Sequence, residues 1–307
     1  MTHTGPANPP QHPPAPTPRA APRALRPAAV VLLAGAVRRS GLARTAGRSR
    51  LDLPLRQDLT VGDAWARRFA ELRATPGRAG LPVILATNST APKSTAAEAW
   101  DSVRWAMDRE EPRGSGGALR DLAETMDPDD RILVVSGHVL ARGGWAAILD
   151  DPAAASCDLA IETDEGRAPT GTFLVRCGCL ADLPARGFID LKEQAMPQIA
   201  ARYDVRVLPS ADAPPIPILT LDGYLRAVRE CHADGAPPVE DWRCSFALAE
   251  AGASVHPSAR LHDAVVLAGA RVEAGAVVVR SVIGPGAVVA RGGSAIDELV
   301  SGPEGRP

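Results

Sequence analysis

The sequence predicts a doubly wound, mostly parallel α/β sheet followed by a short β-helix, and three observations carry that expectation. Short apolar runs alternate with helix-like segments from residue 28 to about 230. Several runs are apolar at consecutive positions, as in strands covered on both faces. Beyond residue 250, small aliphatic side chains return about every six positions.

The first element is a tail. Residues 1–27 are proline- and alanine-rich and almost free of large apolar side chains, so they bury too little to offset ordering entropy and are expected to be disordered. Strands are predicted at "AVVLLAG" (29–35), "LPVILAT" (81–87), "RILVVSG" (131–137), "CDLAIET" (157–163) and "GTFLVRC" (171–177). Helices are predicted over 60–74, 95–111, 117–126 and 191–203. Within 95–111, Ala97, Trp100, Val103 or Arg104, and Met107 recur at helical spacing. The tryptophans are expected to pack on the sheet rather than on a base. Alternating β and α elements place helices on both faces of a parallel sheet, with ligands outside the carboxyl ends of its strands. Gly35 and His138 fall at such ends.

The α/β domain is placed at 28–230 and a linker at 231–250. The repeat spans 251–292: Val255, Leu261, Val266 or Leu267, Val272, Val278, then Ile283 and Val289 after a slip of phase. Ala259, Val265 and Ala287 occupy a second inward spot. Hexads of this kind wind into a β-helix. A segment this short reads as a cap or an element for homo-oligomer formation, followed by a tail at 293–307.

Lys and Arg number 34 against 36 Asp and Glu, so no basic surplus points to nucleic acid or anionic membrane. No run is long enough to span a bilayer. "AAVVLLAGAV", with arginines upstream and the triplet Ala34-Gly35-Ala36, imitates a signal peptide. Removing it would take the first strand from the α/β pattern, so a cytoplasmic location is expected. The five cysteines are odd in number and lack zinc-ribbon spacing, which reads as reduced thiols.

The most specific motif is "EEPRGSGGALRDL" (110–122), a glycine loop opening onto a helix. Without Cβ atoms at Gly114, Gly116 and Gly117, backbone groups can approach a heterocycle or phosphate closely. With the sheet and the hexad repeat, this segment resembles the sugar-phosphate nucleotidyltransferases, or NDP-sugar pyrophosphorylases, over residues 28–292. "GFIDLKEQAMPQIAARYDVRVLP" (187–209) and "ILTLDGYLRAV" (218–228), with Thr220, Tyr224 and Leu225, are similar to further family segments. The resemblance implies a Rossmann-like sheet, a left-handed β-helix, and nucleotide contacts at Leu33, Ala34, Gly35, Glu111, Gly114, Ser115 and Gly116. It also implies catalytic roles for Arg39 and Arg50.

The departures fall on the catalytic parts. In "LAGAVRRSG" (33–41), Ala36 and Arg38 replace glycines of the family's phosphate loop, while Arg38 and Arg39 still offer charge. Arg50 stands where the family has lysine, and a planar guanidinium does not replace an ammonium without loss. His138 stands where the family has a metal-binding aspartate, and Pro217 falls on the second one, with Asp222 nearby. Mg²⁺ prefers hard oxygen ligands, so the cation is expected only if the chain is active. Nothing between Asp164 and Thr172 matches the family's Glu-Lys-Pro segment. Three readings stay open. The chain joins a nucleoside triphosphate to a sugar 1-phosphate, binds nucleotide or NDP-sugar silently as a regulator or scaffold, or acts as a hexapeptide acyltransferase using His256 or His262. No motif fixes the base or the sugar.

Overall fold

The structure, a computed structural model, describes residues 25–35, 40–87, 94–98, 100, 103–107, 113–165, 168–210, 212–232 and 245–303. The expected disorder of 1–27 falls almost wholly outside them. Seven strands form the main sheet: β1 (Ala29–Leu33), β2 (Val83–Thr87), β3 (Val103–Met107), β4 (Arg131–Ser136), β5 (Leu159–Asp164), β6 (Ala168–Arg176) and β7 (Val205–Ser210). Their order is β7-β5-β6-β4-β1-β2-β3. Strand β6 runs antiparallel to β4 and β5, and every other pair is parallel. Leu33 pairs with Ala86 on one side and Ser136 on the other, so the carboxyl ends of β1, β2 and β4 finish together.

Both sheet faces are covered, which explains the consecutive apolar positions. Val30, Leu32, Leu133 and Val135 pack with Trp65, Phe69 and Trp145 on one face; Val31, Ile132 and Val134 pack with Leu119 and Ile199 on the other. The rings of Trp65 and Trp145 stack with centroids 6.2 Å apart, beside Phe69. The helices flanking the sheet include α1 (Gly41–Ala46), α2 (Val61–Ala74), α3 (Gly114–Ala123) and α4 (Leu221–His232). A capping box between Thr60 and Asp63 starts α2.

The helix expected over 95–111 is corrected. Among the described residues helix covers Thr95–Glu98 alone, and Val103–Met107 is the edge strand β3, paired in register with β2. Val103 and Trp105 turn toward the tryptophan cluster, while Ala106 packs on the opposite core and Arg104 is exposed. That alternation of period two overlapped with a helical spacing, and sheet pairing decided between them. The segment from 191 opens as a π-helical turn (Leu191–Ala195) before the α-helix Met196–Ala200.

After α4 the chain forms three parallel ladders of short strands. Each strand pairs with one 17 residues further on, as Ala247 with Ala264, Ser254 with Arg271, and Arg260 with Val277. The period is therefore 17 rather than three full hexads, which accounts for the phase slip. Corners recur at the same interval: Gly252, Gly269 and Gly286 at one, Asp263, Arg280 and Asp297 at another, all with positive φ. The ladders run from Ala247 to Val300, so they include the end of the expected linker and part of the expected tail. The tail residues Ser294–Ile296 and Leu299–Val300 are strands, not a loose end.

Val266, Val272, Val278, Ile283 and Val289 fill the interior of this stack. Leu248, Val265 and Val282 instead join the core that holds Leu42, Tyr224 and Phe246, welding the stack to the α/β part. Arg48–Glu250 and Arg229–Asp263 ion pairs, each at 2.7 Å, cross the same junction. No helix among the described residues is long and apolar enough to cross a membrane.

Candidate functional site

The β1 and β4 tips are drawn tightly together. Gly137 N–H donates to the Leu33 carbonyl at 2.9 Å, and a Cβ on Gly137 would stand 3.0 Å from that oxygen. The N–H groups of Ala34 and Gly35 both donate to the Ala86 carbonyl, at 2.9 and 3.1 Å. Those amides are thus spent on the sheet instead of being aimed at a phosphate. Leu33, Ala34 and Gly35 line the tips, but not as a bare-backbone cradle.

His138 follows immediately. Its Nε2 lies 3.0 Å from Arg50 Nη2 and 3.3 Å from the Gly35 carbonyl oxygen. A guanidinium can only donate, so the shorter contact requires Nε2 to be an unprotonated acceptor. Burial and then the charge of Arg50 push the His138 pKa down to about 4; the Gly35 carbonyl opposes this and Lys192 adds to it. The ring is neutral at physiological pH.

Arg50 is 7% exposed. It sits in a short turn, Arg50–Asp52, capped by the Ser49 hydroxyl. Leu51, Leu53 and Leu55 are buried behind it, and the Tyr224 hydroxyl donates to the Pro54 carbonyl at 2.6 Å. Tyr224, matched in the sequence to a family motif, is therefore an anchor for this turn. Among the described residues Arg50 has no ion-pair partner, its side-chain hydrogen bond goes to a neutral imidazole, and burial lowers its pKa.

Mg²⁺ does not fit this donor set. Pro217 pairs with Val139, and Ile218 N–H donates to the His138 carbonyl at 2.9 Å, so the two implied metal positions do come together. They carry an imidazole and a pyrrolidine, and a guanidinium faces them. Among the described residues no cluster of His, Cys, Asp and Glu is arranged to hold a metal. Asp222 is exposed on the first turn of α4.

The glycine loop has a packing role. A Cβ on Gly114 (φ +70°) would lie 2.5 Å from the Ile189 carbonyl oxygen, and one on Gly116 2.9 Å from Ile189 Cγ2. Gly116 N–H donates to Ile189 O at 3.0 Å, and the Ser115 hydroxyl accepts from Leu191 N–H at 3.2 Å. Residues 188–191 thus pack directly against the loop. Arg39 and Glu111 lie outside the described residues.

One residue not singled out in the sequence is Glu162 on β5, 5% exposed. Its Oε2 accepts from the Thr170 hydroxyl at 2.6 Å, while Oε1 is buried without a partner. It lines a cleft with Ser136, Thr172, Ser210 and Arg142 at the same end of the sheet. An acid inside the apolar run "LAIETD" was the available signal. The histidines of the stack have local partners: His256 Nδ1 accepts from Ser258 N–H at 3.1 Å, and His262 stands 3.8 Å from Asp263. Cys157, Cys177 and Cys179 are buried free thiols, and burial raises Cys177 and Cys179 to about 11.

No protein-family model matches the sequence, and no curated protein does. Among solved structures, HddC from Yersinia pseudotuberculosis complexed with GMP-PN superimposes with a TM-score of 0.50 at 14% identity, covering 66% of this chain and 98% of that one. A putative glucose-1-phosphate thymidylyltransferase from Bacillus anthracis, in complex with a sucrose, gives 0.50 at 12% identity, covering 65% and 93%. The α/β part therefore has a nucleotidyltransferase-like fold.

Proposed function

We propose that this chain binds a sugar phosphate or nucleotide-sugar at the carboxyl ends of β1, β4 and β5 and does not catalyse nucleotidyl transfer. The observation that carries the reading is the Arg50–His138 contact at 3.0 Å, at the position implied for a metal carboxylate. Nucleotidyl transfer is accelerated by positioning and by neutralising phosphate charge, largely with metal ions. With both implied carboxylates replaced, the barrier rises and turnover becomes negligible.

Binding is a separate matter. Arg50 supplies a positive charge for phosphate, and the free Oε1 of Glu162, with the hydroxyls of Ser136 and Thr172 beside it, suits a polyhydroxyl group. The ligands named for the two neighbours, GMP-PN and sucrose, are of the same two classes. We read the stack as a left-handed β-helix that caps the domain, which leaves the chain a regulatory or scaffold role. The test is a thermal-shift panel of sugar 1-phosphates and nucleotide-sugars, run beside a pyrophosphate-release assay with Mg²⁺. A raised Tm without pyrophosphate release is expected. Metal-dependent turnover, or no shift at millimolar ligand, overturns the reading.

A further inference from the structure

We infer that Arg50 takes the place of the divalent cation, making the strand-tip site a metal-independent receptor for a phosphate or pyrophosphate group. The inference rests on the binding function proposed above and names how the anion is held.

A guanidinium that is 93% buried with no ionic partner among the described residues is an unusual thing to keep, because desolvating a charge is costly unless an opposite charge approaches. Among the described residues, no carboxylate stands within ion-pair distance of Arg50, and none offsets the effect of its burial. None of its nitrogens is both sealed from solvent and without a partner, so the donors not held by His138 keep some contact with solvent at the strand tips. His138 accepts one N–H and carries no charge, so it fixes the guanidinium plane without neutralising it. Lys192 adds a second positive charge on the same side. In a metal site the carboxylates cancel part of the cation's charge before phosphate arrives; here a neutral ring leaves the full charge for the ligand. A guanidinium also meets phosphate oxygens through parallel hydrogen bonds, which a single ammonium does not.

The experiment is calorimetric titration of the full chain with inorganic pyrophosphate and with glucose 1-phosphate, in EDTA and again in excess Mg²⁺. Binding in EDTA, changed by Mg²⁺ no more than about twofold, is expected, with a loss of about tenfold or more in Arg50→Met. His138→Glu is the second variant, because its carboxylate reaches as far as Nε2 and gives Arg50 an internal partner. It keeps the arginine, yet its affinity for pyrophosphate in EDTA is expected to fall about tenfold. Binding that appears only with Mg²⁺, or that survives unchanged in folded Arg50→Met, overturns the inference and leaves the binding function standing. Binding of nucleotide-sugars without any binding of pyrophosphate or glucose 1-phosphate does the same. Failure of every phosphorylated ligand, nucleotide-sugars included, removes both.

Discussion

The strand tips and the C-terminal stack differ in whether their charged side chains have partners of opposite charge. In the stack and at its junction, Arg280 pairs with Asp297, Arg229 with Asp263 and Arg48 with Glu250, although Arg48 Nε is buried without a hydrogen-bond partner. At the strand tips Arg50 meets a neutral imidazole, and in the cleft lined by Ser136 and Val139 beside them Glu162 keeps an oxygen without a partner, although Arg50 and Glu162 are both more than nine-tenths buried. A structural element satisfies its polar groups internally; a binding site holds some of them back for a ligand. The difference is why we read the cleft as functional and the stack as a cap.

The largest expected effect tests the stack as scaffold. A Cβ on Gly284 would stand 2.3 Å from the Thr45 carbonyl oxygen of α1, where the stack docks. Gly284→Val should destabilise the chain by about 3 kcal/mol, read as a lower urea midpoint. A change below about 1 kcal/mol would mean that the junction yields, and the stack would no longer count as rigidly joined.

The next effect belongs to the cleft. The folded chain holds His138 neutral down to about pH 4, whereas the unfolded chain accepts that proton near 6.5. As pH falls from 6.5 toward 4, the unfolded state gains a proton that the folded state refuses, so stability is lost in that window and is fully present above it. The loss between pH 7.5 and 4.5 should be about 2 kcal/mol. Urea titrations of wild type and His138→Gln at both pH values isolate this share. Equal slopes would show that Arg50 and Lys192 do not keep the ring neutral.

The same contrast governs what could be read in advance. The stack was legible because its signal is local: one register repeated along the chain, visible in Val266, Val272 and Val278. Its outer limits were not, since Ser294 is polar and only the pairing of Ser294 and Ile296 with Val277 and Val279 makes a strand of that segment. The sheet was legible for the central strands, where burial on both faces forces unbroken apolar runs; the edge strand β3 was not, because one half-exposed face imitates a helix. In the cleft, the positions of Gly35, Arg50 and His138 were found one by one, but their meeting was not. They come from segments 15 and 88 residues apart, and only the Leu33–Ser136 register brings them together. The glycines of 114–117 show a limit of such a signal. A missing Cβ signals close approach without saying whether a ligand or Ile189 is approaching.

Two smaller effects sharpen the comparison. Glu162→Gln keeps an acceptor for Thr170 while removing a buried carboxylate, and should stabilise the unliganded chain by about 1 kcal/mol in urea unfolding. It should also weaken sugar-phosphate binding. A destabilised, tight-binding variant would make Glu162 a structural residue.

Arg280→Gln should do almost nothing, and that is its use. Arg280 and Asp297 are about half exposed, so water already solvates both charges and the long side chains lose entropy in pairing. Tm should stay within about 1 °C of wild type in low and high salt alike, measured by calorimetry. Arg280 holds a left-handed corner, φ +43°, by the register of its neighbours rather than by its charge. A clear loss of stability on neutralising it would place essential polarity in the stack as well. Unpaired burial at the strand tips would then no longer separate a binding site from a scaffold in this chain.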